Sequence, residues 1–169
     1  GCTYCCLIYG DLREMKADDF LQFAISLSNN FDTQSETGAA SCRSIISRSY
    51  YACFHIAKKI IREHYSGKWP SGGSAHKFIE EIFVHSQNSD LVLAGQLFKT
   101  LRTQRRFADY DLEKSQCDSI QQARLHLMQA NEFIKIINVS EKDDLVQYRM
   151  IIQGIQRGVN SYNQRHRGI

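Results

Sequence analysis

The sequence predicts an all-α fold, an antiparallel bundle of about five core helices with an extra helix at the C-terminal end. Helix breakers are scarce, since the 169 residues include only one proline and ten glycines. Apolar residues recur at the three- and four-residue spacing of one helix face along most of the chain. No stretch shows the strict alternation of apolar and polar residues that is typical of a half-buried strand.

Six helical segments are predicted between short polar breaks. The break "SGKWPSGGS" ends the second helix, and Asp90 is the expected N-cap of the fourth. The stretch from Ser140 to Asp144, "SEKDD", reads as the capped start of the sixth. The predicted helices cover approximately residues 16–29, 38–65, 74–85, 90–109, 115–139 and the region after 144.

Apolar stripes on three of these helices predict the core. The expected core positions are Phe20, Phe23, Ala24 and Leu27 in the first helix, Ile46, Tyr50, Cys53, Ala57 and Ile60 in the second, and Ile120, Ala123, Leu127, Ala130, Phe133 and Ile137 in the fifth.

The chain divides into three regions in sequence. Residues 1–10 have an atypical composition, residues 11–139 carry the helical bundle, and residues 140–169 form the last helix and a basic, frayed tail, "SYNQRHRGI". The net charge of +3 and pI of about 8.5 permit an anionic partner, but are weaker than the signature of a dedicated nucleic-acid binder.

Cysteine placement indicates a reducing compartment. Half of the six cysteines crowd the first six residues, and the others are scattered at Cys42, Cys53 and Cys117. A structural zinc site would need a second spaced cluster, and Cys42 and Cys53 lie among apolar residues as small hydrophobes. There is no secretory leader pattern and no apolar run of membrane-spanning length. We therefore expect a cytoplasmic protein with reduced cysteines, no metal or other cofactor, and no membrane association.

The segment "SRSYYACFH" places two chemically useful side chains on one helix face. Arg48 and His55 lie seven residues apart. On a helix this separation is a rotation about 20° short of two full turns, with a rise of about 10.5 Å along the axis. They share a stripe with Tyr51 and Arg62, and are too distant for a short direct hydrogen bond. Arg48 suits a phosphate, and His55 can transfer a proton. The alternative is a salt-bridging arginine and a structural histidine.

A second polar cluster lies in "LRTQRRFADYD". Arg102, Arg105 and Arg106 form the most basic spot in the chain, and Arg105 and Asp109 are an i,i+4 pair. They either form a wall that holds phosphate opposite the second helix or a solvated face with an Arg–Asp pair. Tyr51 and Tyr110 either stack on bases or are core residues with a hydroxyl at the surface.

With "HKFI" at His76 between them, these two segments resemble the HEPN superfamily (higher eukaryotes and prokaryotes nucleotide-binding). The similarity is to a small prokaryotic group with an R-x-YYA-x-F-H helix and a later R-x-x-A-D-Y segment, and it spans roughly Leu12 to Ile137. His76 matches a histidine of that group, and making local hydrogen bonds at a helix start is its alternative role.

The resemblance implies a helical, often dimeric protein. Many HEPN proteins are metal-independent ribonucleases, including toxins that pair with a nucleotidyltransferase-type antitoxin, and their motif is an Arg followed a few residues later by a His. Arg48 and His55 fit this motif, with Ser49 where an Asn is common and with the motif on an earlier helix than in many of these nucleases.

The resemblance leaves two functional interpretations open. One is a dimeric ribonuclease of toxin–antitoxin or defence type with catalytic Arg48 and His55, in which Tyr51, Arg102, Arg105, Arg106, Asp109 and Tyr110 bind RNA or a nucleotide. The other is a non-catalytic module that binds a nucleotide or a protein. We expect a homodimer, because many of the nine phenylalanines and eight tyrosines of the chain lie on helices and offer apolar faces for assembly with a second copy or with a nucleotidyltransferase-type partner.

Overall fold

The computed structural model describes residues 15–32, 35–139 and 142–166. Within these ranges the secondary structure is helical and no strand occurs, which confirms the predicted all-α class. A 3-10 turn at Ser115–Asp118 precedes the fifth helix. The helices are α1 (Ala17–Asn29), α2 (Gly38–Arg62), α3 (Gly73–Val84), α4 (Ser89–Tyr110), α5 (Ile120–Ile137) and α6 (Leu145–Arg165). The predicted 1–10 segment lies outside the described residues.

Side-chain caps mark the starts of α4 and α6. Asn88 caps α4, because its Oδ1 accepts a hydrogen bond from the backbone N–H of Leu91 at 3.0 Å. The predicted cap, Asp90, was therefore wrong by two positions. The Asp90 carboxylate lies in the first turn of α4, where the positive end of the helix dipole stabilises its negative charge. It also accepts a hydrogen bond from Gln147 at 2.8 Å. Asp144 caps α6, which confirms a capped start after the acidic stretch.

The α2 helix contributes to both halves of the core, since it packs against α1, α4 and α5. Of its predicted core seam, Tyr50, Cys53 and Ala57 are fully buried, as is Ile46. At the end of the seam Ile61 is the buried residue, while the predicted Ile60 is only partly buried. The seam on α5 is confirmed from Ala123 to Ile137, with Ile120 partly buried at its edge.

The buried face of α1 differs from the predicted one. Leu21, Ala24 and Ser28 face the core, whereas Phe23 is 52% exposed. Both sets satisfy helical spacing, but the observed face is turned by one position, so that Phe20 lies at its edge rather than its centre. This rotation places the Phe20 ring beside α2.

The last helix belongs to the core. Ile151, Ile155 and Val159 join the buried cluster to which α2, α3, α4 and α5 also contribute. Gly158 allows close packing, because a Cβ at this position would overlap the carbonyl oxygen of Ile82 in α3.

The C-terminal part of α6 is ordered by contacts with α3. Tyr162 packs edge-on against Phe78 with ring centroids 4.6 Å apart, and Arg165 lies 3.5 Å from Glu81. The prediction of a frayed tail was therefore wrong for residues 161–165, since these contacts extend the helix. Residues 167–169 lie outside the described part of the chain.

The three described cysteines, Cys42, Cys53 and Cys117, are buried free thiols. For Cys42 and Cys53 this confirms the expected role as small apolar core residues. Among the described helices, none combines the length and the apolar character that a membrane span requires.

Candidate functional site: a cleft between α2 and α4

A cleft of about 660 Å³ opens where α2 faces the C-terminal half of α4. Six of the predicted site residues line it: Arg48, Tyr51, His55, Arg105, Asp109 and Tyr110. The structure thus brings both sequence segments together, although more than fifty residues separate them: Tyr51 and Arg105 are 54 residues apart.

The Arg48 guanidinium lies above two aromatic rings. Its Cζ is 5.8 Å from the Phe20 ring centroid and 5.9 Å from that of Tyr51, within the range of cation–π attraction. It forms no ion pair or hydrogen bond with another described residue. The donors of Arg48 are therefore available to a ligand.

The His55 imidazole is held by ring contacts. It stacks on Phe20 with centroids 5.3 Å apart and an interplanar angle of 6°, and meets Phe54 edge-on. Burial, with a smaller contribution from Lys58, lowers the pKa of His55 below its ordinary value of 6.5. Burial therefore favours the neutral form of His55, which can accept a proton.

Arg105 connects the two walls of the cleft. Its Nη2 donates hydrogen bonds to the hydroxyls of Tyr51 on α2 and, at 2.9 Å, of Tyr110 on α4. Its Nε lies 2.7 Å from Asp109 Oδ2, which is the predicted i,i+4 ion pair, although the N–H is not directed at that oxygen. Asp109 Oδ2 also accepts a hydrogen bond from Ser47 Oγ at 3.3 Å. Arg105 and Asp109 are thus fixed by protein contacts.

Arg43 holds this end of α4 against α2, and sequence reasoning missed it. Its Nε lies 2.6 Å from Asp118 Oδ1, and its terminal nitrogens donate to five backbone carbonyls. The accepting carbonyls are those of Phe107, Ala108, Asp111, Leu112 and Lys114. These include groups that a helix C-terminus leaves without partners. No local pattern signals this role, because the partners lie 64 to 75 residues further along the chain.

Two predicted site residues lie outside the cleft. Arg102 and Arg106 line a neighbouring second pocket of about 580 Å³, which shares Arg105 and Tyr110 with the cleft. Arg62, at the end of the predicted stripe, places its Cζ 5.4 Å from the centroid of the Trp69 ring instead. The predicted arginine wall is therefore divided between two adjacent depressions.

His76, whose role the sequence left open, belongs to the second pocket. Its Nδ1 is hydrogen-bonded to the buried Tyr50 hydroxyl, and its ring lies 4.5 Å from that of Phe54. Burial, with smaller contributions from Arg105 and Arg102, lowers the pKa of His76. Its hydrogen bond is not local, because Tyr50 belongs to α2.

No protein-family model matches this chain, and neither a curated protein nor a solved structure matches it. Across the residues that the structure describes, no group of three or more His, Cys, Asp or Glu is placed to hold a metal ion. Membership of the HEPN superfamily stays a prediction based on the two sequence segments that meet in the cleft.

Proposed function

We propose that this chain is a HEPN-type endoribonuclease that works as a dimer without a metal ion, in a toxin–antitoxin or defence setting. The observation that supports the proposal best is that Arg48 and His55 line the same open cleft. Arg48 has its donors free, burial favours the neutral form of His55, and Arg105 lies across from them.

The cleft suits a strand of nucleic acid better than a compact apolar ligand. Its polar lining includes Arg48 and Arg105, and Tyr110 is 71% exposed at its edge. Guanidinium groups bind phosphate through paired donors, and an exposed aromatic ring accepts any base by stacking. The one carboxylate among the six predicted lining residues, Asp109, is taken up by Arg105 and Ser47.

In the proposed reaction, His55 removes the proton from a ribose 2′-hydroxyl. The resulting alkoxide attacks the adjacent phosphorus, which forms a 2′,3′-cyclic phosphate and releases the 5′-oxygen of the next nucleotide. Arg48 donates to the non-bridging oxygens, where negative charge builds up in the transition state. A neutral imidazole is the form required for the first step, and the lowered pKa of His55 supplies it.

The reaction also needs a proton for the leaving 5′-oxygen. Each cleft offers one imidazole, His55. His55 becomes an imidazolium when it takes up the 2′-hydroxyl proton, and it returns that proton to the leaving oxygen through water. The HEPN resemblance is our reason for placing the activity in a homodimer. A nucleotidyltransferase-type protein would be the partner that restrains a toxin of this kind.

Cleavage of a labelled RNA by the purified protein in EDTA tests this proposal. We expect His55→Ala and Arg48→Ala each to lower the rate by about 100-fold or more, since general base catalysis and transition-state charge stabilisation each contribute at least this much. His85→Ala is the matched control, because His85 is exposed at the far end of α3. Absence of cleavage, or an unchanged rate in His55→Ala, would refute the enzymatic proposal.

One observation favours a second candidate, a non-catalytic nucleotide-binding or protein-interaction module. No hydrogen bond from a described residue orients the His55 ring, whereas catalytic histidines are commonly held by one. In this case RNA or a nucleotide would bind in the cleft and remain intact. Calorimetric binding without cleavage, lost in Arg105→Ala, would favour this alternative, and light scattering would report whether a dimer forms.

A further inference from the structure

We propose that the second pocket, between α3 and α4, binds a terminal phosphate group, that is, a phosphomonoester with two negative charges. The pocket lies beside the cleft and shares Arg105 and Tyr110 with it. This inference goes beyond the proposed function, because it does not require His55 to cleave RNA.

The charges around the second pocket are one-sided. Four cations line it, Lys77, Arg102, Arg105 and Arg106, and no carboxylate does. Cations concentrated in a concave site attract a compact dianion more strongly than a single diester charge.

Several donors of these cations remain available. Arg105 Nη1 and the whole Arg106 guanidinium have no hydrogen-bond partner among the described residues. Three of the four cations are partly neutralised by carboxylates that do not line the pocket. Arg102 Nη1 lies 3.3 Å from Glu80, Lys77 lies 3.8 Å from Glu81, and Arg105 Nε lies 2.7 Å from Asp109. The free donors are therefore concentrated on the side that α4 contributes.

His76 supplies a neutral donor to the same pocket. Tyr50 is fully buried and burial raises the pKa of its hydroxyl, so the phenol keeps its proton. Within the described chain, its hydroxyl bonds only to His76 Nδ1. Donation from Tyr50 to Nδ1 is the arrangement that leaves no buried hydroxyl hydrogen without an acceptor, and we assign it here. A neutral His76 then carries its proton on Nε2, and its half-buried side chain lines the pocket. Tyr50 thus fixes the tautomer that offers an N–H to an anion.

The start of α3 adds backbone N–H donors to the second pocket. The helix begins at Gly73, a pocket residue, and the preceding Gly72 provides no side-chain cap. The first backbone N–H groups of a helix attract an anion. The space beside both glycines is open, since a Cβ added to either would have no neighbouring atom within 4 Å. A phosphate can therefore approach the backbone closely at this point.

Inorganic phosphate is the first probe, monitored by NMR of the histidine rings in the intact protein. We expect millimolar phosphate to shift the His76 signals while those of exposed His85 stay in place. Unmoved His76 signals at saturating phosphate would overturn the inference, whatever the result of the RNA cleavage assay. Retained phosphate binding in His55→Ala would separate this pocket from the catalytic proposal.

Two variants measure the contribution of the pocket residues. His76→Gln and Arg106→Gln should each weaken phosphate binding about tenfold, the typical effect of losing a hydrogen bond to a charged group. The matched controls, His85→Gln and Arg157→Gln, change exposed residues away from the pocket and should bind as the wild type does. If both pocket variants bind phosphate with wild-type affinity, the assignment is wrong.

The phosphomonoester has two possible sources, a free nucleotide or the end of an RNA strand. Titration with adenosine monophosphate and with a 5′-phosphorylated trinucleotide of RNA separates them. Tighter binding of the trinucleotide indicates a strand end with its backbone in the neighbouring cleft, and equal binding indicates a mononucleotide. An unphosphorylated trinucleotide that binds as well as the phosphorylated one would refute the phosphate assignment.

Discussion

Replacement of Arg43 by alanine is the perturbation that most directly tests how the site is held together. The Arg43 side chain is 11% exposed, and bonds to Asp118 and to five carbonyls around the end of α4. Alanine leaves the Asp118 carboxylate and these carbonyls without their cation. The end of α4, which carries Asp109 and Tyr110, then loses the hydrogen bonds that Arg43 makes to it from α2.

The magnitude follows from burial. Removal of one partner of a buried ion pair costs about 3–5 kcal/mol of stability. The Asp118 side chain is 34% exposed, so water replaces part of what is lost. We therefore expect a loss near the lower end of the range, about 3 kcal/mol, which is a large share of the about 5–15 kcal/mol that is typical of a folded domain.

Urea unfolding followed by circular dichroism measures this loss. With a slope of about 2 kcal/mol per molar urea, the midpoint of Arg43→Ala should fall by about 1.5 M. Arg43→Lys keeps the charge but not the planar fork of donors, so its urea midpoint should lie between those of the wild type and Arg43→Ala. The control Arg157→Ala, at an exposed position on α6, should stay within about 0.5 kcal/mol of the wild type. An Arg43→Ala protein as stable as this control would refute the reasoning.

Two further predictions concern stability. Gly158→Ala should cost about 1–3 kcal/mol, because its methyl group forces α6 away from the Ile82 carbonyl, whereas Gly73→Ala meets no neighbour and serves as the control in the same urea assay. An unchanged midpoint for Gly158→Ala would contradict the close packing. The pKa values of His55, His76 and His126 are all lowered by burial from 6.5, so the unfolded chain takes up protons first as the pH falls. Stability should be full above about pH 6.5 and decline below it, and urea midpoints that rise toward acid would contradict this sign.

Helices could be predicted from sequence because breakers, caps and apolar spacing are local signals. The α2 seam through Tyr50, Cys53 and Ala57 was found in this way. The face of α1 was not, since Phe23 and Leu21 fit helical spacing equally well, and only packing against α2 and α5 selects Leu21. Spacing determines that a helix has an apolar side, but the tertiary contacts determine its rotation.

The residues of the candidate site could be predicted from the sequence, but their distribution over two pockets could not. The Arg48 and His55 spacing placed them on one side of α2, and both line one cleft. Assignment of Arg102 and Arg106 to a separate pocket depends on α3, which sequence reasoning did not place beside them. The Tyr50–His76 hydrogen bond joins α2 to α3 through residues that are 26 positions apart, and no local sequence pattern signals it.

The masses of the RNA fragments after incubation in EDTA are the single measurement that tests the central claim most directly. If His55 activates a 2′-hydroxyl, one fragment ends in a 2′,3′-cyclic phosphate and the other begins with a 5′-hydroxyl, and a DNA strand of the same sequence stays intact. With His55→Ala both products should form about 100-fold more slowly or slower still. Fragments with 5′-phosphate ends, cleavage of the DNA strand, or no cleavage at all would contradict the account.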